Sequence, residues 1–375
     1  MRAVVTKKEL AAGLRIAAMV APDRGGTALQ CVSISTDDIG LHLRATNHVQ
    51  AWCGEVKAQV LEEGAIAVYA TEIKRAVAGL PDRDIIISGD GTGKAELLCP
   101  PYKLTVGGIH ADEYPTWDEV EPKIGDMGFE YPDRTLDALA KVLPSVSGDE
   151  FDPLLQCVNM RTQPGDARIT FAATDKSRLA VAEVCMKGQL AQLTHDIDIN
   201  IPAATIALVC RVFAKSPRIL AFQLRGDGER AWFYDGMTEI TTSLVDAKYP
   251  NFARVIPSED HADATFMTEA GVFEKFLKSA YPVAMTDMER VTLEIERNGV
   301  RIRANGSYES VLDGEGPKEP YTIAINCRFL RDALAMFEGS VCMYFTSPLA
   351  PVLLRKRGLE NRKAVIMPMQ MSEAA

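Results

Sequence analysis

The chain has 375 residues, of which 47% are hydrophobic and 25% are charged, and its formal net charge is −10. This is a globular composition, the length suggests two or three domains, and such acidity argues against binding nucleic acid through bulk positive charge. No apolar run approaches the roughly 18 residues that a membrane helix needs, and charged residues stand where a signal peptide needs its apolar core. We therefore predict a cytoplasmic protein that does not enter a membrane.

The first third of the chain alternates predicted helices and strands. Thr6-Lys7-Lys8-Glu9 has the pattern of a capping box, in which the Thr and Glu side chains satisfy amides at a helix start. That helix ends before Pro22, and a second helix, about Thr71–Leu80, ends before Pro81. A short strand precedes the first helix, and the other predicted strands are Cys31–Ser35, Gly40–Ala45, Val49–Val56, Ala65–Tyr69, Asp84–Ser88, Ala95–Cys99 and Lys103–Ile109.

The second third repeats this order of elements. Helices are predicted at about Pro132–Leu143 and Ala203–Ser216, the second closed by Pro217. The predicted strands alternate apolar and polar residues, as strands with one buried face do. They are Leu154–Arg161, Arg168–Ala173, Leu179–Cys185, Asp196–Ile201, Ile219–Leu224, Ala231–Tyr234 and Glu239–Val245.

The last third follows the same plan again. Its helices are predicted at about Thr268–Ala280 and Cys327–Phe337. Charged segments rich in Pro and Gly, Glu121–Glu130 and Pro257–Ala264, precede the second and third copies as linkers. The predicted strands are Val291–Arg297, Val300–Ala304, Glu309–Leu312, Tyr321–Ile325, Val341–Thr346, Pro351–Arg355 and Lys363–Met367.

A recurring turn indicates that these three segments are internal repeats. Ala173-Thr174-Asp175-Lys176 separates two strands, Ala45-Thr46-Asn47-His48 has the same place about 128 residues earlier, and Ala304-Asn305-Gly306 has it about 131 residues later. Tyr-Pro recurs at Tyr114 and Tyr249. We predict an α+β fold of three repeated domains, each with two helices on antiparallel sheets, at residues 1–124, 125–258 and 259–375.

Positive charge is concentrated in the predicted helices. Counted over residues 6–20, 71–80, 132–143, 203–216, 268–280 and 326–338, the six helices carry a net charge of +5, so the rest of the chain carries −15. Two interpretations stay open at this point. Lys and Arg are good helix formers that decorate any solvated face. Alternatively, the helices line one surface that meets phosphate without reading bases.

The residues give no pattern for catalysis, a cofactor or a metal. The stretch Ser88–Ala95 resembles a phosphate loop, but it lacks the required first Gly and the Ser or Thr after Lys94, so a hairpin turn is the better interpretation. The five histidines are scattered, and no Gly-x-Ser-x-Gly motif is present. The eight cysteines form no CxxC pair, which favours reduced, buried thiols.

Several motifs in order along the chain resemble the bacterial DNA polymerase III β subunit, the β sliding clamp. They are the Asp112-Glu113-Tyr114-Pro115 segment, the run Ala-Thr-Asp-x-x-Arg-Leu-Ala at 173–180, the run Tyr-Pro-Asn-Phe-Ala-Arg-Val-Ile-Pro at 249–257, and Val365-Ile366-Met367-Pro368-Met369. The resemblance implies that the three clamp domains form half of a closed six-domain ring, a head-to-tail homodimer. It also implies that the ring encircles duplex DNA and tethers the polymerase, as a processivity factor and not an enzyme.

The resemblance further implies a cleft for peptides of the DNA polymerase III α subunit, the clamp loader and other partners. Carried over residue by residue, its wall is Leu155, Thr174, Lys176, Ser177, Arg178, Leu179, Pro250, Arg254, Val255, Val365, Met367, Pro368 and Met369. The family usually has Gly-His where Lys176-Ser177 stands, and an Arg-Leu ending where Gln370-Met371 stands. These departures suggest a variant clamp with an altered peptide preference.

The resemblance also implies a dimer seam, and charge and position select a set of DNA-facing candidates. The seam would bring Leu104 and Val106 of one chain against Pro282 and Val283 of the other. The DNA-facing candidates, selected by charge and position, are Arg24, Lys74, Arg75, Arg211, Lys215 and Arg218. The alternative function is a three-domain ligand-binding protein or enzyme that reuses the repeat.

Overall fold

The computed structural model describes residues 1–24, 28–115, 127–129, 132–162, 168–187, 197–214, 221–225 and 229–371. Over these ranges the chain forms six α-helices and 25 β-strands. None of the helices there is both long enough and apolar enough to cross a membrane. The helices are α1 (Lys7–Val20), α2 (Ala70–Gly79), α3 (Pro132–Val142), α4 (Ala203–Phe213), α5 (Ala270–Ala284) and α6 (Cys327–Leu334).

The strands follow the predicted order closely. The first ten are β1 (Arg2–Thr6), β2 (Cys31–Thr36), β3 (Gly40–Thr46), β4 (Gln50–Lys57), β5 (Gln59–Glu62), β6 (Ala65–Tyr69), β7 (Asp84–Ser88), β8 (Thr92–Cys99), β9 (Tyr102–His110) and β10 (Met127–Phe129). The next seven are β11 (Cys157–Thr162), β12 (Arg168–Thr174), β13 (Arg178–Lys187), β14 (Ile197–Pro202), β15 (Ala221–Arg225), β16 (Arg230–Tyr234) and β17 (Thr238–Ser243). The last eight are β18 (Ala264–Glu269), β19 (Arg290–Glu296), β20 (Gly299–Ala304), β21 (Tyr308–Asp313), β22 (Tyr321–Asn326), β23 (Ser340–Phe345), β24 (Val352–Lys356) and β25 (Leu359–Ile366).

The chain divides into two compact units. One comprises Met1–Pro132 with Arg211–Leu244, and the other comprises Asp133–Cys210 with Val245–Ala375. In the first unit β4 pairs with β17, and in the second β13 pairs with β25, both antiparallel. Each of these ladders joins a strand of one sequence repeat to a strand of the next. The three predicted domain boundaries, at 1–124, 125–258 and 259–375, stay a prediction.

A local capping signal sets the start of α1, whereas packing sets the end of α5. At the start of α1 the Thr6 hydroxyl accepts the Glu9 amide at 3.3 Å and donates to the Glu9 carboxylate at 2.8 Å. The predicted end of α5 at Ala280 is wrong, because the helix runs through Pro282. Proline removes one helical hydrogen bond, but the apolar stripe of α5 stays buried as far as Ala284, and that burial keeps the last turn helical.

Three strands were not predicted. Strand β10 lies within the segment Glu121–Glu130, which the sequence analysis predicts as a linker. Strand β5 is largely exposed and lacks apolar alternation, so its sequence carries no strand signal. Strand β18 was assigned partly to a linker and partly to the following helix, although Ala264, Phe266 and Thr268 alternate as buried residues. The glycine-rich stretch after Ser88 is confirmed as the turn of the β7–β8 hairpin.

Strands β9 and β21 are two of the strands that lie at sheet edges in the described part of the chain. Strand β9 pairs with β8 along its length, but it meets β6 only at Gly108 and Ile109. Strand β21 is the first strand of the four-stranded sheet β21-β20-β19-β22. Because edge strands present unpaired backbone groups, both can accept a further strand.

Candidate functional site

A groove of about 840 Å³ lies in the second unit, beside the turn between β12 and β13. It is lined by 11 of the 13 predicted cleft residues: Leu155, Thr174, Lys176, Ser177, Arg178, Leu179, Pro250, Arg254, Val255, Val365 and Met367. The prediction missed Asp152, Leu154, Asn251, Phe252, Ile256, Pro257, Thr346, Ala350 and Pro351. Pro368 and Met369 do not line the groove, since the Met369 amide donates to Ala324 O at 2.8 Å and holds this segment against β22.

The groove has a buried apolar floor and exposed apolar side chains at its rim. Leu179 on β13 lies opposite Val365 on β25, and both are nearly inaccessible, as is Leu155. Val255 and Met367 at the rim are 53% and 41% exposed. A concave surface with an apolar floor suits apolar side chains of a ligand, and exposed Val and Met supply contacts that such a ligand would bury.

The turn that forms one wall is fixed by its own side chains. Thr174 Oγ1 donates to Arg178 O at 2.6 Å and accepts the Lys176 amide at 3.2 Å. Asp175 Oδ1 accepts the amides of Ser177 and Arg178, both at 3.0 Å. Lys176 has a φ of +75°, a left-handed conformation that costs about 1 kcal/mol for a residue with a Cβ.

Three of the four charged groups on the groove wall are paired. Lys176 Nζ lies 2.8 Å from Asp152 Oδ2, and this hydrogen bond lowers the pKa of Asp152 below its ordinary value. The Arg178 guanidinium lies 2.8 Å from Asp175 and 2.6 Å from Asp332. It also stacks 4.2 Å from the centre of the Phe329 ring and is only 9% exposed. Arg178 therefore holds the turn in place, while Arg254 is exposed.

The first repeat contains the same turn with a smaller groove. Asn47 Oδ1 accepts the amides of Val49 and Gln50 at 3.1 and 2.9 Å, and His48 has a φ of +73°. The adjoining groove is only about 200 Å³, and Trp232 and Tyr114 are among the residues that line it. The third copy differs: Asn305 and Gly306 both have positive φ, and the Asn305 side chain donates to Thr286 Oγ1. The prediction of one recurring turn therefore holds for two copies.

Removing the Asp175 carboxylate should destabilise the second unit more than the matched change in the first. We expect Asp175→Ala to lower the free energy of unfolding by about 2–3 kcal/mol, because two amides and the Arg178 guanidinium lose their acceptor. Asn47→Ala removes only two neutral hydrogen bonds, and we expect it to lower the free energy of unfolding by about 1 kcal/mol. Urea unfolding measures both values, and equal losses would contradict the role given to Arg178.

The other predicted residues are dispersed over the chain. Of the DNA-facing candidates, Arg24, Arg75 and Arg211 are exposed and Lys74 is half-buried, while Lys215 and Arg218 lie outside the described residues. Of the seam candidates, Pro282 is exposed, and Leu104 and Val283 are half-buried. The Val106 side chain was expected to face a partner chain, but it is 4% exposed and lies opposite Ala95 in the β8–β9 ladder. Because its side chain is buried, Val106 can contact a partner chain mainly through its backbone.

The described residues hold no group of three or more His, Cys, Asp or Glu side chains that could bind a metal. The eight cysteines carry reduced thiols. Burial raises the pKa of Cys157 and of Cys327 to about 12, which keeps these thiols protonated and unreactive at neutral pH.

Comparison with known proteins shows which family this chain resembles. The central domain of the DNA polymerase III β subunit matches residues 132–251, and the C-terminal domain of the same subunit matches residues 253–370. The β sliding clamp of Synechococcus elongatus is 26% identical over 99% of this chain and 100% of its own length. That of Streptomyces coelicolor is 27% identical over 84% of this chain and 85% of its own length.

Solved clamp structures share the fold. A DNA polymerase sliding clamp from Bacillus subtilis superposes with a TM-score of 0.88 at 17% identity, over 99% of this chain and 100% of its own. A Helicobacter pylori β clamp bound to a DNA ligase peptide superposes with a TM-score of 0.85 at 17% identity and the same coverage. The two domain matches together span more than half of the residues and include every groove residue except Phe252. The chain therefore belongs to the bacterial DNA polymerase III β subunit family, the β sliding clamps.

Proposed function

We propose that this chain is a DNA sliding clamp, two copies of which close head to tail around duplex DNA and tether the replicative polymerase. The groove beside the Thr174–Arg178 turn carries this proposal. It offers a wide apolar floor that nothing in the described chain fills, in a chain of the clamp family. The Helicobacter pylori clamp is bound to a DNA ligase peptide, which supports peptides as the ligands of such proteins.

Contact with DNA would come from the basic helices. Arg75 on α2 and Arg211 on α4 are exposed, as is Arg24 beyond α1, and each can meet a phosphate through water or directly. Such contacts carry no base information and weaken with salt. A closed ring does not need tight contacts, because topology retains the DNA. A net charge of −10 is therefore compatible with a protein that encircles DNA.

The homodimer would form through the two sheet edges. Strand β9 of one chain and strand β21 of another each have a side without a strand in the described part of the molecule. Lys103 on β9 is paired with Glu96, and Glu309 on β21 is paired with Arg301 and Arg303, so backbone pairing would join the two edges more than charge would. Pairing of these edges would bring the seam residues Leu104, Pro282 and Val283 within reach of each other.

The family is one of processivity factors, and we propose that this chain has no catalytic activity, cofactor or metal of its own. Its work would be done by partners: the DNA polymerase III α subunit, the clamp loader and other proteins with clamp-binding peptides. We also propose that it acts in the cytoplasm, where these partners and the DNA are found.

A topological assay tests the proposed ring. The full-length protein is loaded onto nicked circular DNA by a clamp loader, and its retention is compared before and after the circle is linearised. A ring stays on the circle and slides off the linear molecule, whereas a groove-binding protein is retained equally on both. Mass measurement of the free protein should give a dimer. Equal retention, or a stable monomer, would contradict the proposal and favour a three-domain ligand-binding protein or enzyme.

We further propose that Lys176 gives this clamp its own peptide preference. We expect Lys176→Gly to change the affinity for the DNA ligase peptide about threefold or more, since it frees Asp152 and removes a long side chain from the rim. His48→Gly is the matched control, because it relieves the same positive φ outside the groove. Fluorescence anisotropy measures both, and an unchanged affinity in Lys176→Gly would remove Lys176 as a specificity residue.

A further inference from the structure

The turn before the groove displays one phenylalanine almost entirely to solvent. Phe151 is 96% exposed, the highest value among the large hydrophobic side chains of the described residues. A Phe side chain left in water forgoes the stabilisation that burial of its ring would supply. A single exposed apolar side chain is ordinary on a protein surface, but Phe151 stands directly beside residues that line an apolar groove.

The backbone that carries Phe151 is held in place. Asp149 Oδ1 accepts the Phe151 amide at 3.0 Å, and Asp149 O accepts the Asp152 amide at 3.2 Å. The Gln156 side chain donates to the same carbonyl at 2.9 Å, and the Ser147 amide donates to Leu155 O at 2.8 Å. Phe151 is therefore presented on a fixed turn, and a partner that contacts it would not have to order a mobile segment first.

This turn is continuous with the groove. Asp152, the next residue, lines the groove and holds Lys176 at 2.8 Å, while Leu154 and Leu155 continue the same wall. A peptide that lies in the groove and extends past Asp152 would meet Phe151 next. The apolar surface for a partner thus continues beyond the groove itself.

The charge around Phe151 distinguishes between possible occupants. Asp149 and Glu150 are both exposed and precede it directly. Two carboxylates repel the phosphates of a nucleic acid strand, whereas they attract a peptide that carries Lys or Arg. A protein segment is therefore favoured over single-stranded DNA that stacks on the ring.

We propose that Phe151 forms an additional contact site that binds an apolar side chain, flanked by a basic residue, in the partner peptide just outside the groove-binding core. This inference rests on the proposed function of the groove, because the peptide must first be held there. It adds a specificity-determining residue to that site. Partners that carry the flanking pair would bind more tightly than partners that carry the core alone.

The test compares three peptides on the full-length protein by fluorescence anisotropy. The first is the DNA ligase peptide of the Helicobacter pylori complex, and the other two carry an added Arg-Phe pair at one end or the other. We expect one extended peptide to bind about tenfold more tightly than the first peptide. Phe151→Ala should abolish this gain and leave the affinity for the first peptide unchanged, while Phe151→Leu should keep part of it. Met237→Ala, also an exposed side chain on a turn, is the matched control.

The outcomes separate this inference from the proposed function. An equal gain in Phe151→Ala and in the wild type, or no gain from either extension, would overturn the role of Phe151 alone. A wild-type protein that binds none of the three peptides would overturn the proposed function together with it. A single-stranded oligonucleotide whose affinity falls in Phe151→Ala, with peptide binding unaffected, would overturn the inference in favour of DNA contact.

Discussion

Met367→Glu should lower the affinity for a clamp-binding peptide about 100-fold. Met367 is 41% exposed at the groove rim, and its amide donates to Ser177 O at 2.8 Å, so its backbone is fixed beside the groove. A bound apolar side chain would bury the exposed part of the Met side chain, a contribution of about 1 kcal/mol. The carboxylate loses that contribution and must also be desolvated, and each 1.4 kcal/mol is a factor of ten.

Met371→Glu is the matched control for this experiment. Met371 is 52% exposed but does not line the groove, so the same change of charge there should alter affinity by less than about threefold. Met367→Leu should retain most of the binding, since it keeps the apolar volume. Anisotropy with the DNA ligase peptide measures all three variants. A Met367→Glu protein that is folded and binds like the wild type would remove the groove as the peptide site.

Local chemistry explains what could be predicted from the sequence. A Thr-Asp or Thr-Asn pair after a strand forms the same side-chain hydrogen bonds wherever it occurs, so the turns at Thr46 and Thr174 are recognisable from their residues alone. The strands around them alternate in burial, which is a property of neighbouring residues. The third copy lacks the Thr and has Asn-Gly, which favours a different turn, and the structure shows that turn.

The groove itself depends on contacts between residues far apart in the sequence. Leu179 and Val365 come together only because β13 pairs with β25, and neither local pattern predicts that ladder. The family resemblance placed both residues on the cleft wall, and the structure adds their pairing. The resemblance did not supply the features peculiar to this chain, such as the ion pair of Lys176 with Asp152.

Arg178 shows the limit of carrying a residue over by position. The resemblance put it on the cleft wall, and it does line the groove. Its charge, however, is committed to Asp332, which is 154 residues away along the chain, and to Asp175 within the turn. Tertiary partners decide whether a long charged side chain is paired within the fold or free to contact a ligand. Spacing in the sequence cannot reveal those partners.

Val283→Asp should convert the dimer into a monomer at micromolar concentration. In a head-to-tail ring of two chains there are two identical seams, so each substitution acts twice. We expect each seam to lose about 2–3 kcal/mol, from lost apolar contact and from a carboxylate that must be desolvated without a partner. The two losses together raise the dissociation constant of the dimer by about a thousandfold or more.

The position of Val283 makes the experiment selective. Val283 is half-buried near the end of α5, whereas the core-facing residues of that helix are Phe273, Leu277, Ala280 and Ala284, so the substitution should leave the fold intact. Leu61→Asp is the control, because Leu61 is 47% exposed on β5, at the opposite end of the β5-β1-β7-β8-β9 sheet from the β9 edge. Sedimentation velocity over a range of concentrations follows the dimer, and retention on nicked circular DNA should be lost in parallel with it. If Val283→Asp stayed dimeric while Leu61→Asp dissociated, the seam would have to lie at the other edge of this sheet.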